Sequence, residues 1–186
     1  MRTNKVFFAA MIAVCAFAMT TLIGCNGKNE PTPTPEPDTK PVAAAIQFEA
    51  VFDPLTIEQC DISFDYYDEN GNKKNEVVTT TEWTKNIKSA ALPATFGFHW
   101  NIAVKPGLDE TKYEYFVVDF HYTYFSAAIN AEGAAVTSKE GASFGNRMEM
   151  AMSKREATVN AILNNNPINF LHKYDAEGKF TREDWK

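Results

Sequence analysis

Alternating apolar and polar positions run through most of residues 42–186 and predict β-strands. In the clearest stretch, every second residue from Phe96 to Val104 is apolar, and the residues between them are small or polar. Four further stretches repeat this pattern; their apolar faces are Ile46, Phe48, Ala50 and Phe52; Cys60, Ile62, Phe64 and Tyr66; Phe116, Val118, Phe120, Tyr122 and Tyr124; and Ile168, Phe170, His172 and Tyr174. Residues 77–84 are rich in β-branched side chains, and residues 134–137 suit a short strand.

Two departures from the alternation carry information about the strands. Leu55 and Ile57 are out of phase with the face that begins at Cys60. This slip predicts a β-bulge or a break near Glu58 and Gln59. Tyr115 and Val117 place apolar groups on the second face of their strand. That part of the strand is therefore expected to be covered on both sides.

Three turn sequences share one chemistry: each begins with Asp or Asn and ends, three residues later, in Gly. Such a sequence favours a type I turn whose Gly takes the left-handed conformation in a bulge, which closes a β-hairpin. The three segments are residues 68–71, 130–133 and 175–178. Three hairpins indicate an antiparallel sheet rich in meanders.

One helix is predicted after residue 152. Ser153 and Glu156 have the spacing of a capping box, and Val159, Ile162 and Leu163 then fall on one side. Asn164–Pro167 ends it, because the residue before Pro avoids helical angles. The alternating residues Met148, Met150 and Met152 fit either a strand or a lead into this helix, and residues 141–145, with Gly at both ends, are interpreted as a flexible loop.

Together these elements predict an all-β domain. We expect an antiparallel two-sheet sandwich, immunoglobulin-like, with about seven to nine strands and one short helix before the last hairpin. The alternative is a small lipocalin-like β-barrel, which long alternating strands and hairpins also permit.

The N-terminus has the layout of a secretory signal. Arg2 and Lys5 precede an almost wholly apolar run from Val6 to Ile23, which ends in Leu22-Ile23-Gly24-Cys25. This ending resembles the lipobox of bacterial lipoproteins, with Gly24 as the small residue before the cysteine. The resemblance implies cleavage by signal peptidase II before Cys25 and two or three acyl chains, palmitate among them, on its thiol. An uncleaved membrane helix is the alternative, since the apolar run is close to the ~20 residues that a spanning helix needs.

The predicted organisation follows from this signal. Residues 1–24 form the signal peptide, residues 25–41 the lipidated cysteine and a Pro-rich disordered tether, and residues 42–186 the β-domain. Five prolines in the tether fix φ and remove donors, so neither helix nor sheet can form there. Asn26 stands where an Asp commonly retains lipoproteins in the inner membrane. The resemblance therefore favours a lipid anchor in the outer membrane of the cell envelope, on its periplasmic or its surface side.

Charge and cysteine usage narrow the classes of partner. The precursor has a formal charge of −6, and the chain from Cys25 onward has 16 basic and 24 acidic residues, or −8. An acidic domain argues against nucleic acid, because phosphate binding needs clustered Lys and Arg. With Cys15 in the signal and Cys25 lipidated, Cys60 is alone, and we expect it to be a buried structural residue.

Few side chains suggest chemistry. His99 and His121 lie on the more polar faces of long strands assumed to be neighbours, and are the candidates for a metal or haem site. Trp83, together with Tyr67, Tyr113 and Trp185, falls off the main apolar faces and suggests an exposed aromatic binding patch. Asp119 is out of place in an apolar strand and is expected to face solvent or to pair with a neighbouring strand.

No catalytic motif is visible, and no cofactor or metal is expected. The favoured function is a lipid-anchored module that contacts the membrane through Cys25 and binds a protein or glycan ligand. A carrier of a small hydrophobic ligand or haem is the alternative. A hydrolase ranks last.

Overall fold

A computed structural model describes residues 39–186 of the chain. The predicted signal peptide, the lipobox with Cys25, and the tether up to residue 38 lie outside these described residues. Within them the elements, in chain order, are β1 (Ala43–Phe52), α1 (Pro54–Gln59), β2 (Cys60–Tyr67), β3 (Lys73–Val78), β4 (Glu82–Lys88), β5 (Ala94–Val104), β6 (Tyr115–Ile129), β7 (Ala135–Ala151), α2 (Arg155–Asn164), β8 (Asn169–Tyr174) and β9 (Phe180–Glu183).

The strands form two antiparallel sheets. Sheet A has the order β4-β1-β6-β7, and sheet B has the order β3-β2-β5-β8-β9. The predicted two-sheet sandwich is confirmed, and its nine strands over residues 39–186 fall within the expected number. The immunoglobulin-like description holds for the architecture of two packed antiparallel sheets. No strand pairing joins sheet A to sheet B among the described residues, so the closed barrel is not formed.

Aromatic rings from both sheets fill the space between them. The ring of Phe48 in β1 stacks on Phe98 in β5, with centroids 4.4 Å apart. Trp100 in β5 packs edge-on against Phe120 in β6 at 4.5 Å. Each such ring removes a large apolar area from water, which stabilises the sandwich without any disulfide. Cys60 lies in this core as a free thiol, as expected, and burial raises its pKa to about 12.

The three predicted turns are confirmed as hairpins. They join β2 to β3, β6 to β7, and β8 to β9. Gly71, Gly133 and Gly178 have φ values of 76°, 83° and 77°, in the left-handed region. In each turn the amide of the Gly donates to the carbonyl of the Asp or Asn three residues earlier, at 3.0 Å.

The predicted irregularity near Glu58 and Gln59 is the end of helix α1. Asp53 caps this helix by accepting from the Leu55 amide at 2.8 Å, and Pro54 occupies its first turn. The helix begins where β1 ends and continues alongside β6. The Gln59 amide group donates to the Tyr115 carbonyl at 2.9 Å and accepts from the Val117 amide at 2.7 Å. Gln59 therefore satisfies backbone groups of β6 that β1 no longer reaches.

Two segments differ from their predicted conformations. Residues 77–84 are not one strand, because residues 79–81 cross from β3 in sheet B to β4 in sheet A. The interpretation of residues 141–145 as a flexible loop was wrong: they belong to β7, and Ser143 pairs with Thr123 of β6. Small residues hid this strand, because Gly, Ala and Ser give no apolar alternation.

The helix predicted after residue 152 is α2, but its start differs from the prediction. A 3₁₀ turn at Met152–Lys154 leads into it, and no side chain caps it, so the predicted capping box at Ser153 is wrong. Val159 and Ile162 are buried as expected. Leu163 is 37% exposed instead, since the buried face of α2 includes Thr158 and not Leu163.

Candidate binding surface on sheet A

The two candidate histidines do not share a site. His99 is on β5 in sheet B and His121 is on β6 in sheet A, so the expectation that these strands are neighbours was wrong. Both side chains alternate with core residues and therefore point outward, on opposite sides of the sandwich. His99 Nδ1 lies 3.0 Å from Asn169 Oδ1, and His121 Nε2 lies 3.0 Å from Ser143 Oγ.

Trp83 is part of the core and not of an exposed aromatic patch. Its ring stacks on Phe64 with centroids 4.4 Å apart, and its Nε1 donates to Glu76 Oε1 at 2.9 Å. Lys85 Nζ lies 5.1 Å from the centre of the Tyr66 ring and 5.5 Å from that of Trp83. Lys85 and Glu76 form an ion pair that lies beside these rings at one end of the core.

The third histidine, His172, belongs to a buried polar cluster. The Tyr174 hydroxyl donates to Ser126 Oγ at 2.8 Å, and Ser126 Oγ lies 2.8 Å from His172 Nδ1. A serine next to a histidine suggests nucleophilic chemistry. Here both side chains are fully buried, so no substrate reaches them, and the cluster is structural.

Asp119 pairs with a neighbouring strand, as expected. It lies opposite Arg147 of β7, whose Nη1 donates to Asp119 Oδ2 at 2.8 Å. Arg147 Nη2 donates to Glu149 Oε2 at 2.8 Å, and these two carboxylates raise the pKa of the guanidinium. Arg147 thus forms ion pairs with both carboxylates, and its Nη1 also lies 3.8 Å from Asp53 Oδ2.

The outer face of sheet A carries an ordered set of exposed polar side chains around one aromatic ring. Strand register places Asn86, Gln47 and Phe125 in one row across β4, β1 and β6. The next row on this face runs from Thr84 through Glu49 and Thr123 to Ser143. We call this surface the sheet A platform; its residues are Gln47, Asn86, His121, Thr123, Phe125 and Ser143.

Two glycines of β7 leave the rings of the platform uncovered. Phe125 lies opposite Gly141, and a Cβ at Gly141 would be 3.7 Å from Phe125 Cδ2. His121 lies opposite Gly145, where a Cβ would come within 3.0 Å of His121 Cδ2. Phe125 is 48% exposed, which is unusual for a phenylalanine in the middle of a sheet. It escaped the sequence analysis, although its phase, opposite to that of Tyr124, was a visible signal.

The outer face of sheet B is different, because the chain returns to cover it. Trp185 lies against Tyr67, with ring centroids 4.8 Å apart, and near His99 at 6.3 Å. A Cβ at Gly97 would be 2.8 Å from Trp185 Cε3, so the indole rests on the glycine. Only 9% of Trp185 is exposed. This ring is therefore not part of the exposed aromatic binding patch that the sequence had suggested.

Two shallow depressions lie at the surface of the described part of the chain. One, of about 340 Å³, lies next to α1 and is lined by Leu55, Tyr113, Tyr115 and Arg147 among others. The second, of about 270 Å³, lies between Lys105–Leu108 and the start of α2. Neither penetrates the aromatic core.

Residues 39–186 contain no group of three or more His, Cys, Asp or Glu side chains placed to hold a metal ion. No helix in this range has the length and apolar character needed to cross a bilayer. No family model, no curated protein and no solved structure matches the chain.

Proposed function

We propose that the chain is a lipid-anchored binding module of the bacterial cell envelope, held in the outer membrane by acyl chains on Cys25, whose sheet A platform binds a glycan. The observation that carries this proposal is Phe125, an exposed ring whose own row and neighbouring row on sheet A hold the hydrogen-bonding side chains of Gln47, Asn86, Thr123 and Glu49. The lipobox at residues 22–25 supports the anchor. Two or three acyl chains suffice for stable attachment to a membrane.

The platform suits a sugar for chemical reasons. The apolar C–H faces of a pyranose pack on an aromatic ring, and its hydroxyl groups need donors and acceptors around that ring. Gln47 and Asn86 supply both from one side, and Thr123 and Ser143 supply hydroxyl groups from the other. Neighbouring strands lie about 4.8 Å apart, so the four strands span about 15 Å, enough for a short oligosaccharide.

The carrier alternative has less support. Rings such as Phe48, Phe98 and Trp100, all fully buried, occupy the space between the sheets that a hydrophobic ligand or haem would need. The depressions described above are open to solvent, and charged residues such as Lys105 in one and Arg147 in the other belong to their lining. The favoured site therefore lies on the surface of the domain.

The lipid anchor is tested by acyl labelling in a bacterial host. Cys25→Ala should abolish incorporation of a labelled fatty acid and leave the uncleaved precursor. Cys15→Ser is the matched control, because it changes a cysteine of the apolar run and should leave labelling unchanged. Labelling that survives Cys25→Ala would refute the anchor.

The glycan proposal is tested by binding of the detergent-solubilised full-length protein to immobilised glycans. Phe125→Ala should lower affinity at least about tenfold, as removal of a central aromatic contact does. Tyr115→Ala is the control, since Tyr115 is 44% exposed on the same strand but lies outside the platform. Absence of any glycan binding, or equal binding by the Phe125→Ala variant, would contradict the proposal.

A further inference from the structure

The four sheet edges of the domain differ greatly in length. In the described chain, β3, β4 and β9 end their sheets with 6, 7 and 4 residues, whereas β7 ends sheet A with 17. An edge strand presents unpaired backbone N–H and C=O groups to solvent. Proteins usually protect such edges by keeping them short or by adding Pro and Lys. β7 contains no Pro and a single Lys, at position 139.

The edge of β7 also exposes apolar side chains. Phe144 is 43% exposed and Met150 is 39% exposed, although both lie opposite core residues of β6, Tyr122 and Phe116. They belong to the inner face of sheet A, at the margin where sheet B no longer covers it. The register shifts in the β6–β7 ladder lie between residues 135 and 140, so the edge of β7 is regular from residue 140 to residue 151. A long regular edge beside uncovered inner-face side chains is the surface that an added strand would bury.

We propose that a second copy of this chain supplies that strand, by antiparallel pairing of β7 with β7 about a two-fold axis at Phe144. In this register residues 139–149 of the two copies pair. The numbers of two opposed residues add up to 288. Lys139 then lies opposite Glu149 of the second copy, twice by symmetry, and Phe144 lies opposite Phe144. Both kinds of cross-strand pair stabilise antiparallel sheets.

Neighbouring registers are less favourable for the same reasons. A shift that lowers the sum by two places Lys139 opposite Arg147 of the second copy, where like charges repel. A shift that raises it by two places Phe144 opposite Asn146 and removes the aromatic pair. The charge and ring positions of β7 are therefore complementary to the same strand in one register.

The pairing has enough backbone contact to be specific. Eleven residues of each strand give about ten inter-strand hydrogen bonds. The two-fold axis is perpendicular to the sheet, so the outer faces of both copies lie on the same side. The two sheet A platforms therefore share one side of a continuous eight-stranded sheet. Isologous contacts of this kind close after two copies and do not propagate into fibres.

The register is tested by disulfide cross-linking of full-length protein in the envelope of a bacterial host, followed by non-reducing electrophoresis. Directly opposed residues have Cα atoms about 5 Å apart, within reach of a disulfide. The Ala142→Cys, Asn146→Cys double variant should form a dimer band, since residue 142 lies opposite residue 146. Each single variant is the matched control and should remain at the wild-type level, because identical positions are then about 13 Å apart along the strands.

Charge reversal at the exposed ends of the paired segment provides an independent measurement, because it should leave the fold of the domain intact. Lys139→Glu or Glu149→Lys should weaken dimerisation about fivefold in analytical ultracentrifugation, and the double reversal should restore it. A monomer at all concentrations, or equal cross-linking of the single and double cysteine variants, would overturn the inference, as would cross-linking only to a different protein. Phe125→Ala should leave dimerisation unchanged, so this result is separable from the glycan proposal.

Discussion

At the scale of single residues, His172 is the side chain whose burial has the clearest consequence. It is fully buried between Phe170, Tyr124 and Phe180, and its Nε2 has no hydrogen-bond partner among the described residues. Burial, with a smaller effect of nearby Arg182, lowers its pKa from 6.5 to about 4. The imidazole is therefore neutral at pH 7, and its Nδ1 can accept from Ser126.

This pKa predicts that acid destabilises the fold through His172. The unfolded chain binds a proton near pH 6.5 and the folded chain near pH 4, so the stabilisation is complete above pH 6.5 and is lost as pH falls towards 4. The whole window corresponds to about 3 kcal/mol in the free energy of unfolding. Urea unfolding of full-length protein at a series of pH values should show this decline.

A pair of variants separates His172 from the carboxylates that also titrate. His172→Gln should flatten the decline between pH 6.5 and 4 by about that amount, because the amide does not ionise. His121→Gln is the matched control on the exposed surface and should retain the full decline. If both variants follow the wild-type curve, the buried imidazole is not the acid-sensitive group.

At the scale of elements, α1 shows how a helix can continue a sheet. Gln59→Leu keeps the side chain's bulk but leaves the Tyr115 carbonyl and the Val117 amide without partners. We expect the free energy of unfolding to fall by about 3 kcal/mol. Glu58→Gln, on the exposed side of the same helix, should change it by less than about 0.5 kcal/mol. Equal small effects in chemical denaturation would show that the sheet does not depend on this contact.

The turns allow a second comparison, between two glycines that have similar backbone angles but different amounts of room for a Cβ. Gly133 and Gly178 both have positive φ, but a Cβ at Gly133 meets nothing within 4 Å, whereas one at Gly178 lies 2.8 Å from Pro41 Cβ. Gly133→Ala should cost about 1 kcal/mol from conformation alone. Gly178→Ala should cost at least about 1 kcal/mol more, because Pro41 must move. Equal costs in thermal unfolding would show that Pro41 is not held there.

The elements also show what the sequence alone could predict. The strands with large alternating side chains, such as Phe96–Val104, and the three Gly turns were predictable because one local rule decides each of them. The middle of β7, residues 141–145, was missed because its pairing depends on β6 and not on its own side chains. The proximity of His99 and His121 was mispredicted because the connection from β5 to β6 changes sheet, which local patterns do not reveal. Phe125 was overlooked because exposure depends on what the neighbouring strand lacks.

At the scale of the whole molecule, the two outer faces of the sandwich differ in exposure: that of sheet A is open and that of sheet B is covered. Sheet A keeps its platform open by placing Gly141 and Gly145 beside Phe125 and His121. Sheet B uses Gly97 to receive Trp185, so that an aromatic ring from the last residues of the domain closes its face. This asymmetry explains why we assign ligand binding to sheet A and stability to sheet B.

The assignment for sheet B can be measured directly. Trp185→Ala should lower the free energy of unfolding by about 3 kcal/mol, because it uncovers Gly97 and Tyr67 and removes most of a buried indole. Trp185→Phe should recover more than half of that loss, since a smaller ring still covers the glycine. Neither variant should change glycan binding or dimerisation, because Trp185 is on the face opposite the platform. A Trp185→Ala protein as stable as wild type, or one with altered glycan affinity, would show that the two faces are not independent.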